Sequence, residues 1–139
     1  MEKKIKHLEI IEDVIERMGN NSFQLKGWAV ALVALVGALS AQGSDKRFFL
    51  LAIIPLLSFW FLDSYYLQLE RKYIILFKQV SKKSEQDIDF NMDIHSIEYE
   101  ADDKKRINYF KCLSSKTEAP FYLIIAGVVV ILAILLIVK

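Results

Sequence analysis

The sequence predicts an all-α integral membrane protein: three transmembrane helices, an N-terminal amphipathic helix, and a cytoplasmic helical connection between spans two and three. Three observations carry this. Hydrophobic residues make up 54% of the 139. They gather in three charge-free blocks, Gly27–Ala41, Phe48–Leu62 and Phe121–Val138. Lys and Arg are distributed unevenly among the segments that flank those blocks. The third block has eighteen residues, a spanning length by itself. The first two have fifteen each, which a buried helix of a soluble bundle also fits. With Phe23, Gln24, Leu25 and Ser64–Leu67 added, each reaches ~20 residues, enough for a ~30 Å hydrocarbon core.

In chain order, residues 1–20 read as a cytoplasmic amphipathic helix. Ile5, Leu8, Ile11, Ile15 and Met18 recur at helical spacing with Val14 beside them. Glu2–Lys6 and Asp13–Arg17 are i,i+4 pairs. The apolar face is expected to pack on the protein's own cytoplasmic helices. A bilayer surface is the alternative, disfavoured by Glu9, Glu12, Asp13 and Glu16, because anionic lipids repel acids. Gly19-Asn20-Asn21 reads as a stop and Ser22 as the cap of the next helix. The charged stretch before the first apolar run is too long for a secretory signal.

Residues 21–42 form span one and 43–47 an external hairpin turn. Residues 48–67 form span two, with Pro55 mid-span and expected to kink it. Tyr66, Leu69, Tyr73, Leu76 and Val80 continue the helical pattern to about Lys83. Residues 68–118 are the cytoplasmic region: this helical extension, an acidic segment and a basic interfacial helix. Ser84–Asp103 holds eight acids and no Lys or Arg. Lys104, Lys105 and Arg106 reverse the sign. Ile107, Phe110 and Cys112–Leu113 suggest a short interfacial helix, with Lys111 and Lys116 approaching anionic headgroups. Residues 119–139 form span three, with Pro120 in its first turn.

Orientation follows from the basic residues. Five lie before the first block, ten in the 68–118 connection, two at the hairpin (Lys46, Arg47) and one at Lys139. The N-terminus and the connection are therefore expected inside, the hairpin tip and C-terminus outside. Trp28, Trp60, Tyr65 and Tyr66 then fall near the cytoplasmic interface.

Lys26 and Asp63 are the first candidate pair. At 1.5 Å per residue they lie about 27 Å and about 26 Å from the hairpin, so they should meet at similar depth. Ionisable groups inside a membrane are functional candidates. Here a structural ion pair or a snorkelling lysine competes with a role in assembly or gating. The second candidate is a stripe of small residues on span one, Gly27, Ala31, Ala34, Ala38 and Ala41, beside a large-residue face of Trp28, Leu32, Leu35 and Leu39. Small residues let helices approach closely. The stripe should face protein, either spans two or three or a second copy.

Other chemistry is thin. Asp87, Asp89, Asn91, Asp93 and Glu98 fall at positions 1, 3, 5, 7 and 12 of a calcium loop, but Met92 stands where glycine makes the turn. The alternation of Ile88, Phe90, Met92 and Ile94 equally suggests a short strand or an extended segment packed on the cytoplasmic helices. His7 and His95 read as surface or packing residues, and Asp102-Asp103 as a solvated turn. The net charge of +1 excludes a global field for nucleic acid, and the single cysteine, Cys112, excludes an internal disulfide. No catalytic, cofactor-binding or metal-binding spacing is present. The expected class is a non-enzymatic protein acting by oligomeric assembly. Its partners would be the lipid bilayer and either a second copy or a cytoplasmic protein. An accessory subunit of a membrane enzyme or transporter is the alternative.

The run NSFQLKGWAVALVALVGALSA with the helix before it, and SSKTEAPFY before the last span, resemble a group of small bacterial three-span inner-membrane proteins of unsettled function. Some of these accompany phage-defence loci. The resemblance implies a multi-pass protein of the bacterial inner membrane that is an effector or accessory factor. It assigns no role to any residue.

Overall fold

The computed structural model describes residues 1–42 and 46–138. Among these the chain is helical (82%) and holds no strand. The elements are α1 (Glu2–Ala41), a 3-10 helix (Lys46–Ala52), α2 (Ile53–Lys82), a 3-10 turn (Glu85–Asp87), α3 (Ala101–Arg106), α4 (Tyr109–Leu113) and α5 (Glu118–Val138). Three helical stretches among the described residues, Glu2–Ala41, Phe49–Lys82 and Glu118–Leu135, are long and apolar enough to cross a membrane. Residues 43–45 of the predicted hairpin turn lie outside the described residues.

Two boundaries differ from expectation. Gly19-Asn20-Asn21 does not stop a helix, and Ser22 caps none, because α1 runs unbroken from Glu2 to Ala41. A helical glycine costs about 1 kcal/mol relative to alanine, which the flanking turns absorb. Pro55 falls at the start of the α-helical part of the predicted second span. It is the third residue of α2, where a missing N–H breaks no helical bond. Farther into an α-helix its ring would clash with the carbonyl four residues earlier. The chain before it winds instead as the tighter 3-10 helix.

The chain divides into two compact units. The first comprises Met1–Ser22 and Tyr65–Cys112. Its core is Ile11, Leu76, Val80 and Ile94, with Leu8, Ile15, Leu69, Tyr73, Phe77, Ile88, Met92 and Ile97 packed around it. The amphipathic face of α1 thus meets α2 and the 88–97 segment of its own chain. Ile5 is exposed, while His7 is fully buried against Phe90, with ring centroids 5.3 Å apart. Neither ring nitrogen of His7 has a hydrogen-bond partner among the described residues.

The start of α1 is capped from far along the chain. Glu85 accepts the Lys3 N–H at 2.8 Å and the Lys4 N–H at 3.4 Å, and the Met1 ammonium lies 2.6 Å away. A carboxylate there satisfies orphan amides and opposes the helix dipole. The Met1 ammonium, followed by the two amides, holds the Glu85 carboxyl below its ordinary value of 4.5.

The second unit comprises Phe23–Ser64 and Leu113–Lys139. Two apolar layers hold it: Ala29, Leu56 and Tyr122, then Phe49, Val129 and Ala133. Gly37 permits the closest approach, since a Cβ there would meet the Phe49 ring at 3.1 Å. Large apolar side chains cover its outside, including Leu35, Leu39, Ile54, Phe61, Ile124, Ile131 and Leu135. A water-soluble monomer rarely exposes such a continuous surface.

Two outcomes test the first unit. A depressed carboxyl contributes stability above its unfolded value, which is lost as pH falls through the folded one. The amide shifts of Lys3 and Lys4 should therefore titrate with a midpoint below 4.5, and Glu85→Gln should abolish that titration in an NMR series. His7→Leu removes two buried nitrogens that lack partners. It should stabilise this unit by about 1 kcal/mol, read as slower hydrogen exchange at Ile11 and Val80.

Candidate functional site

Each helix of the second unit turns one stripe inward, and each stripe ends in polar groups. On α1 the packed residues are Leu25, Ala29, Val33, Val36 and Ser40, with Lys26 beside the stripe. On α2 they are Leu56, Trp60 and Asp63. On α5 they are Glu118, Tyr122, Ile125, Val129 and Ala133. Spacings of three and four keep each set on one face.

The polar ends meet. Lys26 Nζ donates to Asp63 Oδ2 at 2.6 Å and lies 2.8 Å from Glu118 Oε2. Tyr122 Oη donates to the same Asp63 oxygen at 2.9 Å. The Asp63 side chain is 0% exposed, Glu118 4% and Lys26 21%. Aromatic rings surround them. Trp60 stacks on Tyr122 at 6.0 Å and 12°, and Phe121 stands edge-on to Tyr122. Lys26 Nζ lies 6.0 Å from the Phe121 centroid. Trp60 Nε1 donates to the Leu113 carbonyl at 3.1 Å, fixing the stacking partner.

Local sequence explains how α5 presents its two groups. Ser115 Oγ accepts the Glu118 N–H at 3.1 Å. This Ser-x-x-Glu spacing opens a helix as a capping box does. Tyr122 is one turn on from Glu118. The charge-free blocks omit Glu118 because it lies just before the third, yet the capping signature and the i,i+4 spacing to Tyr122 were both readable.

The predicted site residues separate into two groups. Lys26 and Asp63 are in contact, with Glu118 and Tyr122 joining them. Gly27, Ala31, Ala34, Ala38 and Ala41 are all exposed. Helices α2 and α5 of this chain therefore do not cover the small-residue stripe. At ~100° per residue its centre lies about 160° around α1 from the packed stripe. The inward face instead takes Ala29 and Gly37 as its small residues.

The calcium-loop resemblance dissolves into turn chemistry. Asp87 Oδ2 accepts from Ser84 Oγ at 2.6 Å. Asp89 Oδ1 accepts the Asn91 N–H at 3.2 Å, Asn91 Oδ1 the Asp93 N–H at 2.9 Å, and Asp93 Oδ1 the His95 N–H at 2.9 Å. The Asn91 N–H is the main influence holding the Asp89 carboxyl below the usual range. The left-handed residue is Phe90, at φ 53°, rather than Met92. Residues 88–94 are irregular, not a strand. Asp102 and Asp103 lie in the first turn of α3, with Asp102 exposed to solvent, a place that suits the helix dipole. Among the described residues no group of three or more His, Cys, Asp or Glu side chains could hold a metal ion. A scan against protein-family models and searches of curated proteins and of solved structures return no match.

One part-buried cation between two buried carboxylates makes the three changes unequal. Lys26→Met leaves two acids without their cation and should cost about 3–5 kcal/mol. Asp63→Asn or Glu118→Gln should cost less, and Lys26→Met with Asp63→Asn should fall short of the summed single losses. Unfolding of each variant in mild detergent measures all four values.

Proposed function

We propose that this chain is a three-span protein of the bacterial inner membrane that works without catalysis, by assembling with further copies of itself. The observation that carries the reading is the outward stripe Gly27, Ala31, Ala34, Ala38 and Ala41. It is exposed along α1 on the side away from the chain's own packed layers. In lipid there is no hydrophobic drive to bury a helix face, so association relies on close packing and polar contacts. Small residues exposed over four turns suit a second helix.

The excess of Lys and Arg before span one and between spans two and three supports a cytoplasmic N-terminus, a cytoplasmic 68–118 region and an outside C-terminus. On this reading the first unit receives a partner or signal and the second unit assembles. As a defence effector, its output would be bilayer perturbation or an oligomeric pore with an apolar constriction.

Ala34→Leu tests the interface. It should lower the oligomer fraction in mild detergent at least about tenfold while leaving the monomer folded, as expected where close packing drives association. Ala29→Leu, on the inward face, should instead destabilise the fold. An unchanged oligomer profile for Ala34→Leu counts against this interface. Co-purification of a stoichiometric foreign membrane protein would favour the accessory-subunit reading.

A further inference from the structure

The corner formed by α3 and α4 is held firmly, and it contains the stretch whose sequence suggests an interfacial helix. Asn108 starts α4: its Oδ1 accepts the Phe110 N–H at 3.0 Å and its carbonyl the Cys112 N–H at 3.0 Å. Two α2 side chains clamp the corner from behind. Gln68 donates to the Ile107 carbonyl at 2.7 Å, and Arg71 donates to the Arg106 carbonyl at 2.7 Å. Cys112 is fully buried on the clamped side. On the other side Phe110 is 76% exposed, although its ring edge meets Tyr109. Lys104, Lys105, Arg106 and Lys111, on the same two helices, are exposed as well.

A phenylalanine with three-quarters of its surface exposed on a pinned helix gains where that surface meets an apolar phase. The charge says what lies around that apolar phase. Lys104–Thr117 holds five basic residues and no acid. Asp102 and Asp103 sit at the far end of α3, and the exposed Lys105–Asp102 pair at 3.6 Å offsets little. Four residues join α4 to α5, the helix that enters the bilayer on the reading above.

We propose that the α3–α4 corner docks on the anionic headgroup layer of the membrane. Phe110 inserts toward the acyl chains, and Lys104, Lys105, Arg106 and Lys111 meet lipid phosphates. Aromatic side chains favour that interface, and each basic residue near an anionic surface adds attraction. The inference rests on the membrane reading.

The test uses the full chain in lipid nanodiscs of phosphatidylcholine alone or mixed with phosphatidylglycerol. Hydrogen exchange at amides 107–113 should slow about tenfold in the anionic discs, with the Tyr73–Val80 amides unchanged. Salt at about 1 M should erase the difference, as should Lys104→Gln/Lys105→Gln/Lys111→Gln. Phe110→Ser should speed exchange in both lipids. Equal exchange of the unaltered chain in both lipids, with the protein resisting carbonate extraction from vesicles, overturns this docking alone. Release by carbonate overturns the membrane reading and the docking with it.

Discussion

The sharing of Lys26 by Asp63 and Glu118 is the constraint on which the second unit depends. Removing one ammonium and two carboxylates from water costs several kcal/mol per ion, so each group must find its partner. Every partner lies on a different helix. Apolar packing alone could not choose their rotations. Beyond Tyr122 the inner face of α5 (Ile125, Val129, Ala133) and its outer face (Ile124, Val128, Ile131) are both aliphatic, and aliphatic surfaces interchange at modest cost. The polar junction removes that freedom. Turning α5 by one residue would take Glu118 and Tyr122 away from Lys26 and Asp63 together.

The first unit is held by different physics. Ile11, Leu76, Val80 and Ile94 bury apolar surface against one another, which is a driving force only in water. Ions there act at the edges. Glu85 satisfies the first amides of α1, and the acids at 87, 89 and 93 shape a loop by bonding to nearby hydroxyl and backbone groups. The carboxylates that looked most like ligands are thus those most engaged locally. α1 contributes to both units, amphipathic before Ser22 and apolar after Gly27. Gly19, where one regime gives way to the other, has no neighbour within 4 Å of a Cβ placed there. Its place in the helix reflects no packing demand, which is why a glycine read as a terminator proved silent.

What the sequence made legible follows the same division. Helix class, the three apolar stretches, the reach of α2 to Lys82 and the Lys26–Asp63 contact all follow from period and rise per residue. These are one-dimensional quantities. Glu118 and Tyr122 were harder, because their place in the junction depends on where α5 begins, which Ser115 decides. The small-residue stripe was the clearest pattern and the least determined in meaning. Periodicity shows that five positions share a face but not which way that face points. Pro55 is a related case. Its chemistry was certain, yet its effect depends on where α2 starts.

The direction of the stripe is a consequence of the junction. Lys26 and Gly27 are adjacent, so the rotation that brings Lys26 to Asp63 also carries Gly27 outward by about 100°. Ala31, Ala34, Ala38 and Ala41 follow with the helical repeat. The ion cluster at the start of the apolar part of α1 thereby helps decide which face that apolar length presents. A loss of the lysine and a change in the outward surface are then coupled, since without its anchor only size separates the inward apolar set (Leu25, Ala29, Val33, Val36) from the outward one (Ala31, Ala34, Ala38). Either could pack inside. Removing the charge would make the two faces of α1 compete for the same place.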